Sequence, residues 1–200
     1  MVKVLTCKDC SGTGEIHLQS WDDTPGDRGI IYLKKTCETC GGTGKVETGG
    51  LPEEIRFYKA TGEYGFLSNL YRCRVEYLDI AFPSSENAYQ YNKPNKQEIR
   101  DIIKTCLPRI AAIIGHGLFI YDIVPEWSRL KVGFMRDVLR AKFTQNPDLK
   151  SMLLQTGDSI LIENSKTDAF WGLGKKGNGK NMLGTLLMEL RSSLKDGTIR

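Results

Sequence analysis

Phe82-Pro83-Ser84-Ser85-Glu86-Asn87-Ala88-Tyr89-Gln90 is the stretch in which the chain changes its period. Before it, Leu70 to Phe82 alternates as a β-hairpin would, and Ile55-Arg56-Phe57-Tyr58 reads as an earlier strand. After it the signal is mostly helical. Ser84 or Ser85 can cap a first helix over 85–92, and further helices are expected over 96–114, 126–145, 147–155 and 181–195. In the fourth of these, Asn146 is the expected cap, Pro147 the first residue and Gly157 the stop. Asp158 to Glu163 reads as one more short strand. Residues 52–200 are therefore expected to form a helix-rich α+β domain around one core.

A linker, Thr48-Gly49-Gly50-Leu51-Pro52, separates this domain from a sequence of another kind. Cys7-Lys8-Asp9-Cys10-Ser11-Gly12-Thr13-Gly14 recurs as Cys37-Glu38-Thr39-Cys40-Gly41-Gly42-Thr43-Gly44. Two C-x₂-C pairs with 26 residues between them form a tetrathiolate zinc pattern. Each pair sets two sulfurs on one tight turn, about 3.5–4 Å apart as tetrahedral ligands require. The following glycines take the positive φ that turns backbone N–H groups toward the thiolates. Ser20 to Asp27 can form the tip of a long hairpin. The rival reading, two disulfides, suits a secreted chain, but Met1 to Cys7 contains no long apolar segment of a signal peptide. Residues 1–48 are thus expected to be a small zinc-stabilised β-hairpin module, with Zn²⁺ on Cys7, Cys10, Cys37 and Cys40. Four protein ligands leave no open position, so the ion is structural and the module should fold only with it. The repeat resembles the zinc-finger units of DnaJ-type co-chaperones, although the chain has no His-Pro-Asp motif to extend that resemblance. Cys73 and Cys106 are left over and read as buried thiols.

Composition narrows the function classes. With 200 residues, 40% hydrophobic and 26% charged, the chain is globular in type, and no apolar run approaches the length of a membrane span. A cytoplasmic protein (host cytoplasm for a viral source) with no membrane partner is expected. The formal charge of +4 falls further once four thiolates share one divalent ion, too low for a strong nucleic-acid field. Residues 1–50 hold six Lys/Arg against seven Asp/Glu and residues 51–200 hold 22 against 17, so the positive excess lies in the larger part.

Four segments of that part carry chemistry. Glu86 falls in the first turn of its helix, where it either balances the helix dipole or serves as a working carboxylate. Trp127 opens the longest helix in register with Leu130, Phe134, Val138, Leu139 and Phe143, as a core residue or as a stacking platform for a base. Asp168-Ala169-Phe170-Trp171-Gly172 sets a carboxylate beside an indole, a cradle for a flat base and a developing positive charge. Gly172 to Asn181 places four glycines and three lysines ahead of a helix, which suits a phosphate or diphosphate. It nearly matches a P-loop, but Asn181 stands where the Mg²⁺-binding hydroxyl belongs and no long apolar strand precedes it, which excludes an NTPase.

These segments, together with Phe57-Tyr58, Tyr64-Gly65-Phe66-Leu67-Ser68-Asn69, Arg140-Ala141-Lys142-Phe143 and Gly177-Asn178-Gly179-Lys180-Asn181-Met182-Leu183-Gly184 with its tail Leu187-Met188-Glu189-Leu190-Arg191, resemble the NADAR (YbiA-like) family. The resemblance runs over residues 55–195. It implies a YbiA-like fold and an N-glycosidase acting on ribosylamino-pyrimidine phosphates of riboflavin biosynthesis or on ADP-ribosylated guanine, free or in nucleic acid. The family's catalytic Glu, Trp and Asp fall on Glu86, Trp127 and Asp168. Asn69, Trp171, Lys175, Lys176, Asn178, Lys180 and Asn181 are the implied substrate contacts. His116 follows Gly115 where the family often has Arg, a weaker phosphate ligand, and the zinc module lies outside the family's core pattern.

Cleavage of a C1′–N bond develops oxocarbenium character at the ribose. Asp168 is expected to serve water and that cation, and Glu86 the departing base, or the two in exchanged roles. Trp127 and Trp171 would stack on the base, and Lys175, Lys176 and Lys180 would neutralise phosphates. Two other readings compete. One is a non-catalytic module that reads ADP-ribose, an NAD metabolite or nucleic acid, against which two acids beside a sugar argue. The other is an adaptor hairpin that recruits DNA, RNA or a protein, with Trp21 and Tyr32 stacking on exposed bases.

Overall fold

Each cysteine repeat is the turn between two strands. The computed structural model describes residues 3–7, 9–22, 29–48 and 51–199, which divide into two units, Met1–Leu51 and Pro52–Arg200. In the first, β1 (Lys3–Thr6) pairs antiparallel with β4 (Lys45–Thr48), and β2 (Glu15–Asp22) with β3 (Gly29–Thr36). The first repeat joins β1 to β2 and the second joins β3 to β4, and the two repeats bond to each other reciprocally. Cys7 N–H donates to Gly44 O and Cys37 N–H to Gly14 O, both at 2.9 Å. Gly14 and Gly44 have positive φ, and a Cβ on either would run into the backbone carbonyl of Gly42 or Gly12, respectively. The motif's last glycine is therefore demanded by the close approach of the two turns. Of the expected hairpin tip, Ser20 to Asp22 belong to β2, and residues 23–28 lie outside the described residues.

The second unit begins with β5 (Glu54–Phe57), which pairs in parallel with β8 (Ile160–Glu163), more than a hundred residues later. The expected hairpin is shorter than its alternation: β6 (Val75–Tyr77) and β7 (Ile80–Phe82) are joined through Leu78 and Asp79, both at positive φ. Six helices follow the switch at Pro83. α1 (Ser85–Tyr91) is capped by Ser84, whose Oγ accepts from Asn87 N–H. The single helix expected over 96–114 is two, α2 (Gln97–Thr105) and α3 (Pro108–Gly117). Pro108 causes the break: it can only begin a helix, and it holds Leu107 extended at ψ 145°. α4 (Trp127–Gln145) and α5 (Pro147–Gln155) meet at Asn146, which occupies the cap position without capping; its Nδ2 donates to Lys142 O and Arg74 O. α6 (Met182–Lys195) closes the unit.

One hydrophobic core runs through this unit, built from β5, β8, α1, α4, α5 and α6. α4 contributes Met135, Val138, Leu139 and Phe143, whereas Leu130, expected on the same face, is exposed. Lys142 is also fully buried there, its Nζ donating to Ser68 O at 2.8 Å. Cys73 and Cys106 are half-buried rather than buried, because each lies on a connection at the edge of the core and not inside it. Among the described residues no helix is long and apolar enough to cross a membrane.

Candidate active site and cysteine cluster

The four cysteines of the first unit are buried, and their sulfurs lie within 4.8 Å of one another. Cys7 Sγ is 3.7 Å from Cys37 Sγ, and Cys10 Sγ is 3.7 Å from Cys40 Sγ. Gly14 N–H donates to Cys10 Sγ at 3.2 Å and Gly44 N–H to Cys40 Sγ at 3.3 Å. Four soft donors clustered this closely, two of them receiving N–H bonds that favour the thiolate, can hold a metal ion. The side chains of Trp21 and Tyr32 lie outside the described residues.

In the second unit, a cavity of about 770 Å³ opens where β5 and β8 end. Parallel strands deliver their C-terminal ends to one side, so Tyr58 (following β5) and Glu163 (ending β8) both line it. Glu86 reaches it from the first turn of α1. The backbone N–H of Glu86 donates to Asn69 O at 3.1 Å, and its Oε1 accepts from Gln90 Nε2 at 2.9 Å. The carboxyl is buried, and this loss of water drives it up to about 7; the Gln90 bond and Lys93 oppose the rise, and Asp168 adds to it. Gly115 of α3 gives Gln90 its place, since a Cβ there would overlap the Gln90 amide.

Asp168 sits in the loop after β8. Its Oδ1 accepts from Phe170 N–H at 2.8 Å and Trp171 N–H at 2.7 Å. The carboxylate thereby builds its own turn and aims the indole that follows. Trp127, at the start of α4, and Trp171 flank Tyr89 with ring centroids 5.4 and 5.6 Å away. Trp127 packs against the core, as one of its two sequence readings expects, and also lines the cavity.

The cavity therefore brings together Glu86, Asp168, Trp127, Trp171 and Asn69. Asn69 is also a brace: its Oδ1 accepts from Ser85 Oγ, and its Nδ2 contacts Met135 Sδ. The expected phosphate loop is not part of the lining. Lys175, Lys176, Asn178 and Lys180 are not among the lining residues, although Lys180 Nζ lies 5.5 Å from the centroid of the Phe170 ring, which is. Asn181 is turned to β8, accepting from Glu163 N–H at 2.9 Å and donating to Leu161 O at 2.8 Å. His116 does line the cavity.

Three charged residues enter without having been singled out in sequence. Lys131 lies one turn beyond Trp127, the i+4 spacing that shares a helix face, with its Nζ 3.4 Å from the Phe170 ring centroid. Burial and Lys180 lower its pKa, against the pull of Asp168. Lys93, whose Nζ donates to Gly115 O, is lowered first by burial and then by Lys131. Glu163 is pushed up to about 8 by burial, then by Asp168 and Glu86. Its position at the end of an apolar strand, five residues before Asp168, is the signal that could have flagged it.

Three carboxyls, of Glu86, Glu163 and Asp168, and two indoles thus line one cavity. The description "NADAR domain" fits residues 56–195, and the chain belongs to that family. It is 37% identical over 141 residues to the N-glycosidase YbiA of Escherichia coli, covering 70% of this chain and 88% of that protein. A riboflavin biosynthesis protein of Vibrio vulnificus is 34% identical over 151 residues, 76% of this chain and 41% of its own. An N-glycosidase of Nostoc punctiforme is 33% identical, with 71% and 93% covered. The solution structure of E. coli YbiA superimposes with a TM-score of 0.66 at 35% identity, over 73% of this chain and 87% of the other. The second unit is thus a YbiA-like α+β domain, and the chain is an N-glycosidase, a hydrolase.

Proposed function

We propose that this N-glycosidase cleaves the C1′–N bond of a ribosylated or ADP-ribosylated nucleobase, with Asp168, Glu86 and Trp127 as its catalytic residues. The observation that supports this best is the unlike environment of the two carboxyls on one cavity. Asp168 is held by two N–H donors, whereas Glu86 is buried and carries its proton up to about neutral pH. One group suits a developing cation and the other a leaving base. As C1′–N lengthens, the bonding pair moves to the base nitrogen, which takes a proton from Glu86. Water adds to C1′ on its other side and gives a proton to Asp168. Trp127 and Trp171 hold the base plane. Lys175, Lys176 and Lys180, outside the cavity, neutralise the substrate's phosphates.

The reader alternative gives way to the enzyme, because the relatives that cover most of this domain are N-glycosidases. For the first unit we propose one structural Zn²⁺ on Cys7, Cys10, Cys37 and Cys40, which supplies folding energy and no chemistry. An adaptor role for that unit toward nucleic acid or a protein, and a cytoplasmic setting for the reaction, complete the reading.

The test is C1′–N cleavage read by mass spectrometry, as ADP-ribose freed from ADP-ribosylated guanine in DNA or from free ADP-ribosyl guanosine, and as the base freed from a ribosylamino-pyrimidine phosphate. Glu86→Gln and Asp168→Asn are run beside the wild type. Release from one substrate, abolished by both variants, supports the assignments and separates nucleic-acid repair from metabolite clearance. Release that survives both substitutions refutes them.

A further inference from the structure

Glu163 is the carboxyl of the cavity to which the reaction above gives no task. Its backbone is fixed on both sides: N–H donates to Asn181 Oδ1 at 2.9 Å, and C=O accepts from Leu173 N–H at 3.1 Å. Its carboxyl makes no hydrogen bond among the described residues, yet it lines the cavity, and Oε2 is shut off from solvent. Folded proteins seldom leave a buried polar atom unmet, and one that faces a cavity can find its partner in what the cavity holds. Glu86, by comparison, has its Gln90 bond, and Asp168 has its two N–H donors.

We propose that Glu163 is a specificity-determining residue whose carboxyl hydrogen-bonds the departing base along an edge that sets a carbonyl acceptor beside an N–H donor. The assignment rests on the base-release reading and adds the recognition of the base to it. The groups facing Glu163 decide its state. Glu86 comes from α1, Asp168 from the loop after β8, and Lys131 from α4 lies near Asp168; burial and the two acids keep the carboxyl protonated through neutrality. A protonated carboxyl offers one O–H donor beside one carbonyl acceptor, the complement of a lactam edge, whereas an anion offers acceptors only. Guanine and pyrimidine-diones both carry such an edge. When the C1′–N pair passes to the base, part of that charge spreads to the ring carbonyl, where the Glu163 O–H meets it until the base nitrogen gains its proton. Glu163 keeps its own proton throughout, so the overall balance remains one water consumed per bond broken.

Glu163→Gln and Glu163→Ala in the full chain test this. Glutamine keeps a donor beside an acceptor at every pH. Alanine is expected to lower kcat/KM for base release about ten- to a hundredfold, and glutamine to stay within about threefold of wild type. The pH profile adds a readout that a merely structural role would not move. With Glu86 required in protonated form and Glu163 contributing as the acid, the wild-type rate just above pH 8 falls more steeply than one logarithmic unit per pH unit, and the Gln variant by one. Guanosine and uridine, titrated by quenching of indole fluorescence, report recognition without turnover. Alanine should weaken the binding at least fivefold and glutamine leave it unchanged. A Gln variant as impaired as Ala, an unchanged alkaline slope, or saturable binding of neither nucleoside overturns the assignment. Binding lost in the Ala variant, from a wild type that releases no base, upholds Glu163 and sinks the glycosidase reading instead.

Discussion

The two units of this chain reach order by different means. In the second, twenty buried residues form one core, its Val, Leu, Ile, Phe and Met side chains each worth about 1.5–3 kcal/mol when fully withdrawn from water. In the first, the buried cluster among the described residues is four cysteines with Ile16 packed against them. What the first unit has instead is donor chemistry: sulfurs at metal-binding separation and turns whose amides point at them. If a metal on those sulfurs holds the first unit, as proposed above, a perturbation aimed at either unit should leave the other folded.

Metal removal is the largest way to break that contrast. Structural zinc in small fingers supplies about 10–16 kcal/mol of apparent binding energy, all of it folding energy. Chelation, or Cys10→Ser or Cys40→Ser, is expected to erase the ordered amide signals of residues 3–7, 9–22 and 29–48 in NMR spectra. The melting transition of Pro52–Arg200 and the rate of base release should persist. Ordered signals that survive chelation with no metal left bound to the chain would show the first unit folding without metal.

Within the second unit the same contrast recurs between core and cavity, and Asp168→Asn probes it next. The asparagine Oδ1 can still accept from Phe170 and Trp171 N–H, so the turn and the melting temperature should hold. Only the negative charge is lost, and with it about a thousandfold in kcat, on the order of 4 kcal/mol. A melting temperature that falls with the rate would mean that the carboxylate serves the fold.

Glu86→Gln should move rate and stability in opposite directions. The folded-state pKa lies above the ordinary value of 4.5, at about 7, so folding favours the protonated form. The cost of keeping this carboxyl buried begins above pH 4.5 and levels off above pH 7, at roughly 3 kcal/mol. The Gln variant should therefore match the wild type in thermal stability near pH 4.5 and exceed it at pH 8, while base release falls about a hundredfold or more. Equal stability at both pH values would show that the buried carboxyl carries no such cost.

Legibility followed the same division. The cysteine cluster was legible because ligand chemistry restricts its spacing, and five of the eight motif positions recur unchanged. The helices were legible where proline or serine marks an end, as at Ser84 and Pro147, and misread where Pro108 was taken inside a longer helix. The parallel partnership of β5 with β8 could not be read, since nothing local joins Glu54 to Ile160. That pairing carries Glu163 to the cavity, so the missed topology and the missed residue are one omission. Glu86, Trp127 and Asp168 were legible as a set only through family resemblance. Read singly, each has an ordinary structural use, and the structure shows that Asp168 and Trp127 have those uses as well.

The smallest expected effect concerns the one segment that sequence marked strongly and the cavity does not contain. Lys175, Lys176 and Lys180 are exposed, and a surface charge acting across water contributes well under 1 kcal/mol at ordinary salt. If these lysines act by neutralising phosphate, changing all three to glutamine should raise KM several-fold for a phosphate-bearing substrate and leave kcat alone. The increase should shrink as salt rises from 50 to 300 mM, because screening takes from the wild type what the variant has already lost. A substrate stripped of phosphates should show no difference. A salt-independent loss in kcat would instead place the loop in the chemistry, in contact with the sugar or base when substrate is bound, and would move the boundary between site and surface past Phe170.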